Sequence, residues 1–588
     1  MDNGRIEGFQ HSASRGRRIR AAAIAAACMF LAVLAPAGAQ AQTAEKVTGL
    51  TVVQRHGYAS LTWNPVSGAT DYEIERTTVV GATPGTPVIV GIWAPKRTSD
   101  PTPPTFADAG FNPGGTFRWR VRARMNTLGL PELPALPVDT PLAAPWSDPV
   151  TGATVAPFGN PAVAGESLRT QWETTLAAQF TSDVEEYAYT AALDAASDRV
   201  RVVEIGRTPQ GRAINMFALG YPAPPATAEE ISASPTVVVN CNVHGNEPSS
   251  RETCMILARE LAFGVDARTT EILSKVTVLL VPSINADGRA ANTRGNSTGQ
   301  DLNRDHSQIR QPETFAFAQM LRDYTPQAGF DGHEFGNTSA GDLPVLPPRH
   351  LNVAQPIFDE SMRMIEGWMY GHGAADGWWF CPYGCASGGS VGLSEETILR
   401  NAMGLKNTVG SLLEARSAGG PTRPNESGTQ ENKRRKTYSA LYTYNQFLDY
   451  YLANQPAVEE ATVASAAFQT SNTGRIVFRG SRPIPPHAAP HPGDSPPPQE
   501  DPTPAQILEV PPCGYLLSNE QYTGARTDGA PGLVTTLEQR IAAHGWAVEQ
   551  RPDGYLIRLA QPQRGLIPLL LDEQAAEEWT AAQRLATC

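Results

Sequence analysis

The sequence predicts a multidomain chain: an all-β sandwich, then an α/β domain with helices on both faces of a mixed sheet, then a small α+β unit. Three observations carry this. Residues 46–155 hold short runs of alternating apolar and polar residues between turn signals. Residues 165–455 alternate near-continuous apolar runs with helical patterns, as a sheet covered on both faces requires. A proline-rich stretch then sets residues 513–588 apart. A chain of 588 residues also exceeds what one hydrophobic core can organise.

The first 41 residues read as an export signal. Arg15, Arg17, Arg18 and Arg20 precede AAAIAAACMFLAVLAPAGAQAQ, with small residues at Ala37, Ala39 and Ala41. The apolar run falls short of the ~20 residues a membrane span needs, and Pro36 interrupts it. A periplasmic or secreted protein without stable membrane insertion is therefore expected. Six cysteines remain after the signal: Cys241, Cys254, Cys381, Cys385, Cys513 and Cys588. An even count in an exported chain permits disulfides without fixing their pairing. CPYGC (Cys381 and Cys385) reads as a small closed loop or buried thiols rather than a metal pair. The net charge of −12 argues against a nucleic-acid partner.

Within 46–155, ASLTWNPV, DYEIERTTV and TFRWRVRARM have the period-two pattern of half-buried strands, with Trp63, Tyr72, Phe117, Trp119 and Val121 facing a core. LTWNPVSGATDYEIER followed by FRWRVRARMN resembles a fibronectin type III domain. In 165–455, VRVVEIGRTPQGRAINMFALG predicts two strands around a turn, SPTVVVNCNV and VTVLLVPSIN buried strands, and QAGFDGH a short strand. EPSSRETCMILARELAFG predicts a helix with Pro248 at its first position and Gly264 at its stop, and PETFAFAQMLRDY predicts another. Residues 456–512 read as a spacer, with His487 and His491 in solvated linker. In 513–588, LEQRIAAHG predicts a helix, WAVEQRPDGYLIRL a hairpin turning at Asp553–Gly554, and DEQAAEEWTAAQRL a terminal helix.

The stretch NCNVHGNEPSSRET places His244 and Glu247 where a buried strand gives way to a helix. Both side chains can then converge at the carboxyl edge of the sheet, where α/β ligand sites form. Zinc accepts both donor types, but two ligands do not make a site. Alone, the pair also reads as a capping glutamate beside a hydrogen-bonded histidine. Four more segments follow: NADGR (285–289), NTRGNSTGQDLNRDH (292–306), FDGHEFG (330–336) and GLKNTVGSLLEARSAGG (404–420).

This ordered set resembles the zinc metallocarboxypeptidases, the superfamily of carboxypeptidases A and B. The resemblance implies an α/β metallocarboxypeptidase domain over 165–455 and one zinc ion held by His244, Glu247 and His333. It further implies that Asn303 and Arg304 grip a substrate's terminal carboxylate, that Arg294 polarises the scissile carbonyl, and that Glu414 is the catalytic glutamate. Tyr383 is the candidate for the family's substrate-covering tyrosine. His306 and His350 are alternative third ligands, though neither follows a strand as His333 does. Glu334, next to His333, suggests a bacterial offshoot of the superfamily.

The implied function is release of C-terminal residues from peptides bearing a free C-terminal carboxylate. Two readings stand beside it: a zinc amidase or deacylase acting on cell-wall peptides or N-acyl amino acids, and a non-catalytic surface-binding protein with a degenerate enzyme fold.

Overall fold

The structure is a computed structural model and describes residues 45–94, 103–111, 115–124, 145–153, 168–336, 341–383, 394–419, 423, 425–426, 428–484, 498–530, 533 and 535–588. The expected export signal at 1–41, Cys385, His487 and His491 lie outside the described residues.

The N-terminal unit pairs β1 (Thr51–Arg55), β2 (Tyr58–Thr62) and β5 (Thr105–Asp108) in one antiparallel sheet. A second sheet has the order β4 (Thr83–Trp93), β3 (Asp71–Val80), β6 (Thr116–Arg124), β7 (Val150–Ala153). Strand β6 alternates buried and half-exposed residues along its length, as its sequence period requires. Its Phe117, Trp119 and Val121 join Trp63, Tyr72 and Ile74 in one apolar cluster between the sheets.

The central domain is built on an eight-stranded mixed sheet. Its strands are β8 (Val200–Arg207), β9 (Ala213–Leu219), β10 (Thr236–Cys241), β11 (Thr277–Val281), β12 (Ala328–Phe335), β13 (Leu343–Leu346), β14 (Phe380–Pro382) and β15 (Val409–Arg416). They lie in the order β14-β13-β15-β12-β10-β11-β9-β8, and β15, β12, β10 and β11 run parallel. Every residue of β10 and β11 is buried because the sheet has a core on each face. Val237 and Val239 pack among the helices Pro248–Phe263 and Gln430–Thr470, whereas Val238 packs with Phe317, Met320 and Met403 on the other side. That is why these strands read as continuous apolar runs rather than alternating ones.

Two expectations need correction. The helix Gln430–Thr470 runs through residues 456–470, which the sequence assigned to the spacer. Pro456 does not end it: the helix kinks at Asn454 (φ −125°, ψ 17°) and continues, with Val458 and Ala461 buried. The expected terminal helix over DEQAAEEWTAAQRL does not form. The disulfide Cys513–Cys588 draws the end of the chain to the strand Gly514–Leu517, which pairs with Gln583–Leu585, and Trp579 inserts into the core. The hairpin around Asp553–Gly554 and the helix Leu537–His544 form as the sequence predicts. Among the described residues no helix is long and apolar enough to cross a membrane.

The β-sandwich is fastened to the central domain through buried charge. Arg76 on β3 donates to Asp108 at 2.7 and 3.0 Å and pairs with Glu431 on the long helix. Asp108 also accepts from Trp119 Nε1 at 2.8 Å. Both members of the Arg76–Asp108 pair are buried. Removing one partner leaves the other charge in the interior, so Asp108→Ala should lower stability by about 3–5 kcal/mol. Chemical denaturation of the variant checks this, and an unchanged midpoint would show the pair contributes nothing.

Candidate metal centre and active site

The strand–loop–helix segment after β10 is shaped by three local devices. Asn242 adopts a left-handed backbone (φ 56°), and its side-chain amide donates to the carbonyls of His244 (2.8 Å) and Glu247 (3.1 Å). Gly245 lies so close to the short helix Ala286–Ala291 that a Cβ would sit 2.0 Å from the Gly288 carbonyl carbon. The disulfide Cys241–Cys254 ties the end of β10 to the following helix and so brackets both His244 and Glu247. Glu247 occupies the helix N-cap but makes no side-chain cap bond, which removes the capping reading of the His-x-x-Glu pair.

Glu247 instead faces two imidazoles. His244 Nδ1 is 2.9 Å from Glu247 Oε1, His333 Nδ1 is 3.0 Å from Glu247 Oε2, and the two Nδ1 atoms are 3.1 Å apart. His333 lies on β12, and Gly332 before it has no room for a side chain: a Cβ would meet the Tyr444 hydroxyl at 2.0 Å. The outer nitrogen of each ring has its own carboxylate. His244 Nε2 lies 3.1 Å from Asp301 Oδ1, and His333 Nε2 lies 2.8 Å from Asp331 Oδ2.

Those carboxylates hold the proton of each neutral ring on Nε2 and leave each Nδ1 as a bare lone pair. Two such lone pairs and a carboxylate then confront one another at 2.9–3.1 Å, all of them acceptors. Positive charge relieves that arrangement, and the half-exposed Arg294 guanidinium, 3.2 Å from His244 Nδ1 and 3.6 Å from Glu247 Oε1, supplies it from one side only. Tetrahedral donors ~2.0–2.1 Å from a zinc ion lie roughly 3.3 Å apart, close to the observed spacings. His244, Glu247 and His333 are buried and converge as a group that can hold one metal ion, so the donor set fits zinc. His306 packs against Phe317, and His350 Nδ1 accepts from the Asn352 backbone at 3.0 Å. Neither joins the cluster.

The same carboxylates draw positive charge to this point, whether as a proton on an imidazole or as a metal ion. Burial alone would raise the Glu247 carboxyl, but the charges and hydrogen bonds of His244 and His333 hold it well below the usual range. Burial alone would lower His333, but Asp331 and Glu247 raise it well above its ordinary value. Strand register completes the site: β12 and β15 are parallel neighbours with His333 paired directly to Glu414. Burial pushes Glu414 well up, against the attraction of His333 and with repulsion from Glu247 and Asp331.

The other expected residues are distributed as follows. Arg294 donates from Nε and Nη2 to Asp301 Oδ2 at 3.1 and 3.0 Å, and its Nη1 stands 3.2 Å from His244 Nδ1. Asn303 is turned inward: its amide nitrogen is 3.0 Å from His333 Nε2 and its oxygen accepts from Leu399 N at 2.9 Å. Of the expected Asn303–Arg304 pair, Arg304 alone is exposed. Tyr383 follows β14, packs edge-on against Phe335, and has its hydroxyl pushed up by burial and by the adjacent Glu414.

Sequence reasoning missed Asn242, Asp301 and Asp331. All three were within the quoted motifs, and an Asp two residues before a strand histidine shares its face, which was the available signal for Asp331.

Residues 186–340 match the family model for zinc carboxypeptidase. Over these residues the chain is similar to a zinc carboxypeptidase domain. The matched segment contains all three metal-facing residues and stops short of Glu414, which strand pairing brings in. Carboxypeptidase 2 of Trichophyton rubrum is 29% identical over 194 residues, covering 30% of this chain and 36% of that protein. Carboxypeptidase D of Mus musculus is 34% identical over 159 residues, covering 21% of this chain and 12% of that protein. The chain thus spans about a third of the fungal relatives it matches. A metallo-carboxypeptidase structure from Pseudomonas aeruginosa overlaps 47% of this chain and 69% of its own at a TM-score of 0.36 and 17% identity.

Because Asp331 and Asp301 orient the two imidazoles, Asp331→Asn should weaken metal binding by about 10–100-fold. Competition with a chromogenic chelator measures this. Equal affinity in variant and wild type would remove the orienting role.

Proposed function

We propose that the chain is an exported zinc carboxypeptidase that hydrolyses the C-terminal peptide bond of peptides. One observation supports this most: Glu414 lies beside His333 on the adjacent parallel strand, so a buried carboxylate adjoins the site that His244 and Glu247 complete. The disulfides Cys241–Cys254 and Cys513–Cys588 favour an oxidising compartment. The two-sheet unit before the domain is read as fibronectin type III-like.

The chemistry a bound zinc ion supplies in such a site is Lewis acidity towards water and the scissile carbonyl. The chain's own residues do the rest. Glu414, as a carboxylate, takes a proton from the attacking water and passes it to the leaving amine, and the burial that pushes its carboxyl up makes it a stronger base. Arg294, aimed by Asp301 to within 3.2 Å of His244, stabilises negative charge as it develops on the carbonyl oxygen. Arg304 presents an exposed guanidinium fork to the substrate carboxylate. Asn303 is buried behind His333, so the clamp rests mainly on Arg304. Tyr383, whose hydroxyl lies close enough to Glu414 to be pushed up by it, is the residue that would cover bound substrate.

Glu414→Gln should retain the metal and reduce kcat by about 10²–10⁴-fold on small peptides. A variant that binds metal and turns over normally would take Glu414 out of the reaction. Arg304→Gln should raise KM, with kcat less affected, and C-terminally amidated peptides should be poor substrates of the wild type. If amidated and free peptides are cleaved equally well, the amidase reading replaces this one.

A further inference from the structure

Glu334 directly follows His333 on β12. Its side chain is 5% exposed, so its charge needs partners. Two are present. Glu334 Oε1 accepts from the backbone N–H of Ser249 at 2.7 Å, and Glu334 Oε2 pairs with Lys436 Nζ at 2.5 Å. The backbone N–H of Glu334 makes a third bond, donating to Glu247 Oε2 at 3.2 Å.

Each side-chain partner comes from a different helix. Ser249 is the second residue of the helix Pro248–Phe263, whose N-cap is Glu247. Lys436 lies near the start of the long helix Gln430–Thr470, where Thr253 Oγ1 donates to Thr437 O at 2.9 Å and joins the two helices. The Lys436 ammonium also stands 5.0 Å from the centre of the Phe180 ring, a favourable place for a buried cation.

The first N–H groups of a helix have no partner within it. Pro248 has no N–H to offer, so Ser249 presents the first. An N-cap side chain ordinarily accepts from the N–H two or three positions on. Glu247 holds the N-cap and makes no such bond. The helix dipole also favours a carboxylate at this end. Both demands are met from the neighbouring strand: Glu334 takes the Ser249 N–H and brings the negative charge.

Glu247 is thereby left to its other partners. Its Oε1 faces His244 Nδ1 at 2.9 Å and its Oε2 faces His333 Nδ1 at 3.0 Å. The Glu334 N–H binds the second of these oxygens. An ion pair that only joined strand to helix would need Lys436 alone. The bonds to Ser249 and to Glu247 tie Glu334 to the metal-facing carboxylate.

We propose that Glu334 is a positioning residue for Glu247. Its side chain caps the helix in place of Glu247, its amide orients the Glu247 carboxylate, and Lys436 anchors it. This role rests on the reading of His244, Glu247 and His333 as a zinc site.

Zinc affinity of the full chain, measured by competition with a chromogenic chelator, tests the role. Glu334→Met is close in length to the native side chain but has no strong acceptor, and it should bind zinc about 10–100-fold more weakly. Glu334→Gln still offers Ser249 an amide oxygen and should bind more tightly than Glu334→Met. Loading with cobalt(II) gives a second readout: the visible absorption of Glu334→Met should differ from that of the wild type, because the Glu247 carboxylate is no longer held in the same way. Circular dichroism of the metal-free proteins checks folding. If Glu334→Met does not fold, the double variant Glu334→Met/Lys436→Met removes the cap without leaving a buried ammonium unpaired, and the same loss is expected of it. A merely structural cap would lower the unfolding midpoint of the metal-free protein and leave zinc affinity and the cobalt spectrum at wild-type values; that result overturns the proposal. Equal losses in the Gln and Met variants also overturn it, since capping would then not be the cause. A wild type that binds no zinc removes the metal centre and this role with it, whereas a zinc-binding wild type matched by its variants removes the positioning role alone.

Discussion

The central constraint is the meeting of like with like. His244 Nδ1, His333 Nδ1 and the Glu247 oxygens face one another within hydrogen-bond distance, with Asp301 and Asp331 fixing the opposite edges of the rings. Acceptors crowded together in a buried site repel unless positive charge sits among them. The surroundings must therefore hold the donors in place when nothing neutralises them. The left-handed Asn242, the disulfide behind β10 and the bare backbone at Gly245 and Gly332 all resist relaxation of that geometry.

A second set of buried charges links this centre to the rest of the molecule. Asp342 is buried among Arg416, Arg423 and Arg435, which hold its carboxyl far below the usual range even though burial would raise it. Arg416 ends β15, two residues after Glu414. Arg423 lies over the Phe106 ring of the β-sandwich at 4.2 Å and donates to Ala107 O at 2.7 Å. The strand carrying Glu414 is thus tied to the sandwich through a single buried carboxylate. Such clusters contribute little net stability compared with apolar packing, but they fix one register and one domain orientation, because any other arrangement strands a charge.

On the far side, the C-terminal unit grips the backbone that follows Arg304. His544 meets Ser307 O, Trp579 donates to Gln308 O, and Ala530 N donates to Arg310 O. The segment bearing Asp301, Asn303 and Arg304 is therefore fastened at its trailing end by residues more than two hundred positions away. The N-terminal unit steadies the strand that carries Glu414, and the C-terminal unit steadies the loop that carries Arg304.

Local pattern determined much of this in advance. The fully buried β10 and β11 and the helix opening at Pro248 were legible because two-sided burial and helix-start chemistry act over a few residues, whereas His333 and Glu414 were singled out by the resemblance of their motifs to a family. Tertiary structure decided what distant segments do to one another. Asn303 turned towards His333 rather than outward, since the backbone amide of Leu399 claims its side-chain oxygen. The long helix ran past Pro456 because its far side still had apolar surface to cover, and Gln583–Leu585 became an edge strand because a disulfide and a buried tryptophan outweighed the helical propensity of the chain's end. Hydrophobic period is written into neighbouring residues, whereas the partner of a buried polar group is chosen only when the chain closes on itself.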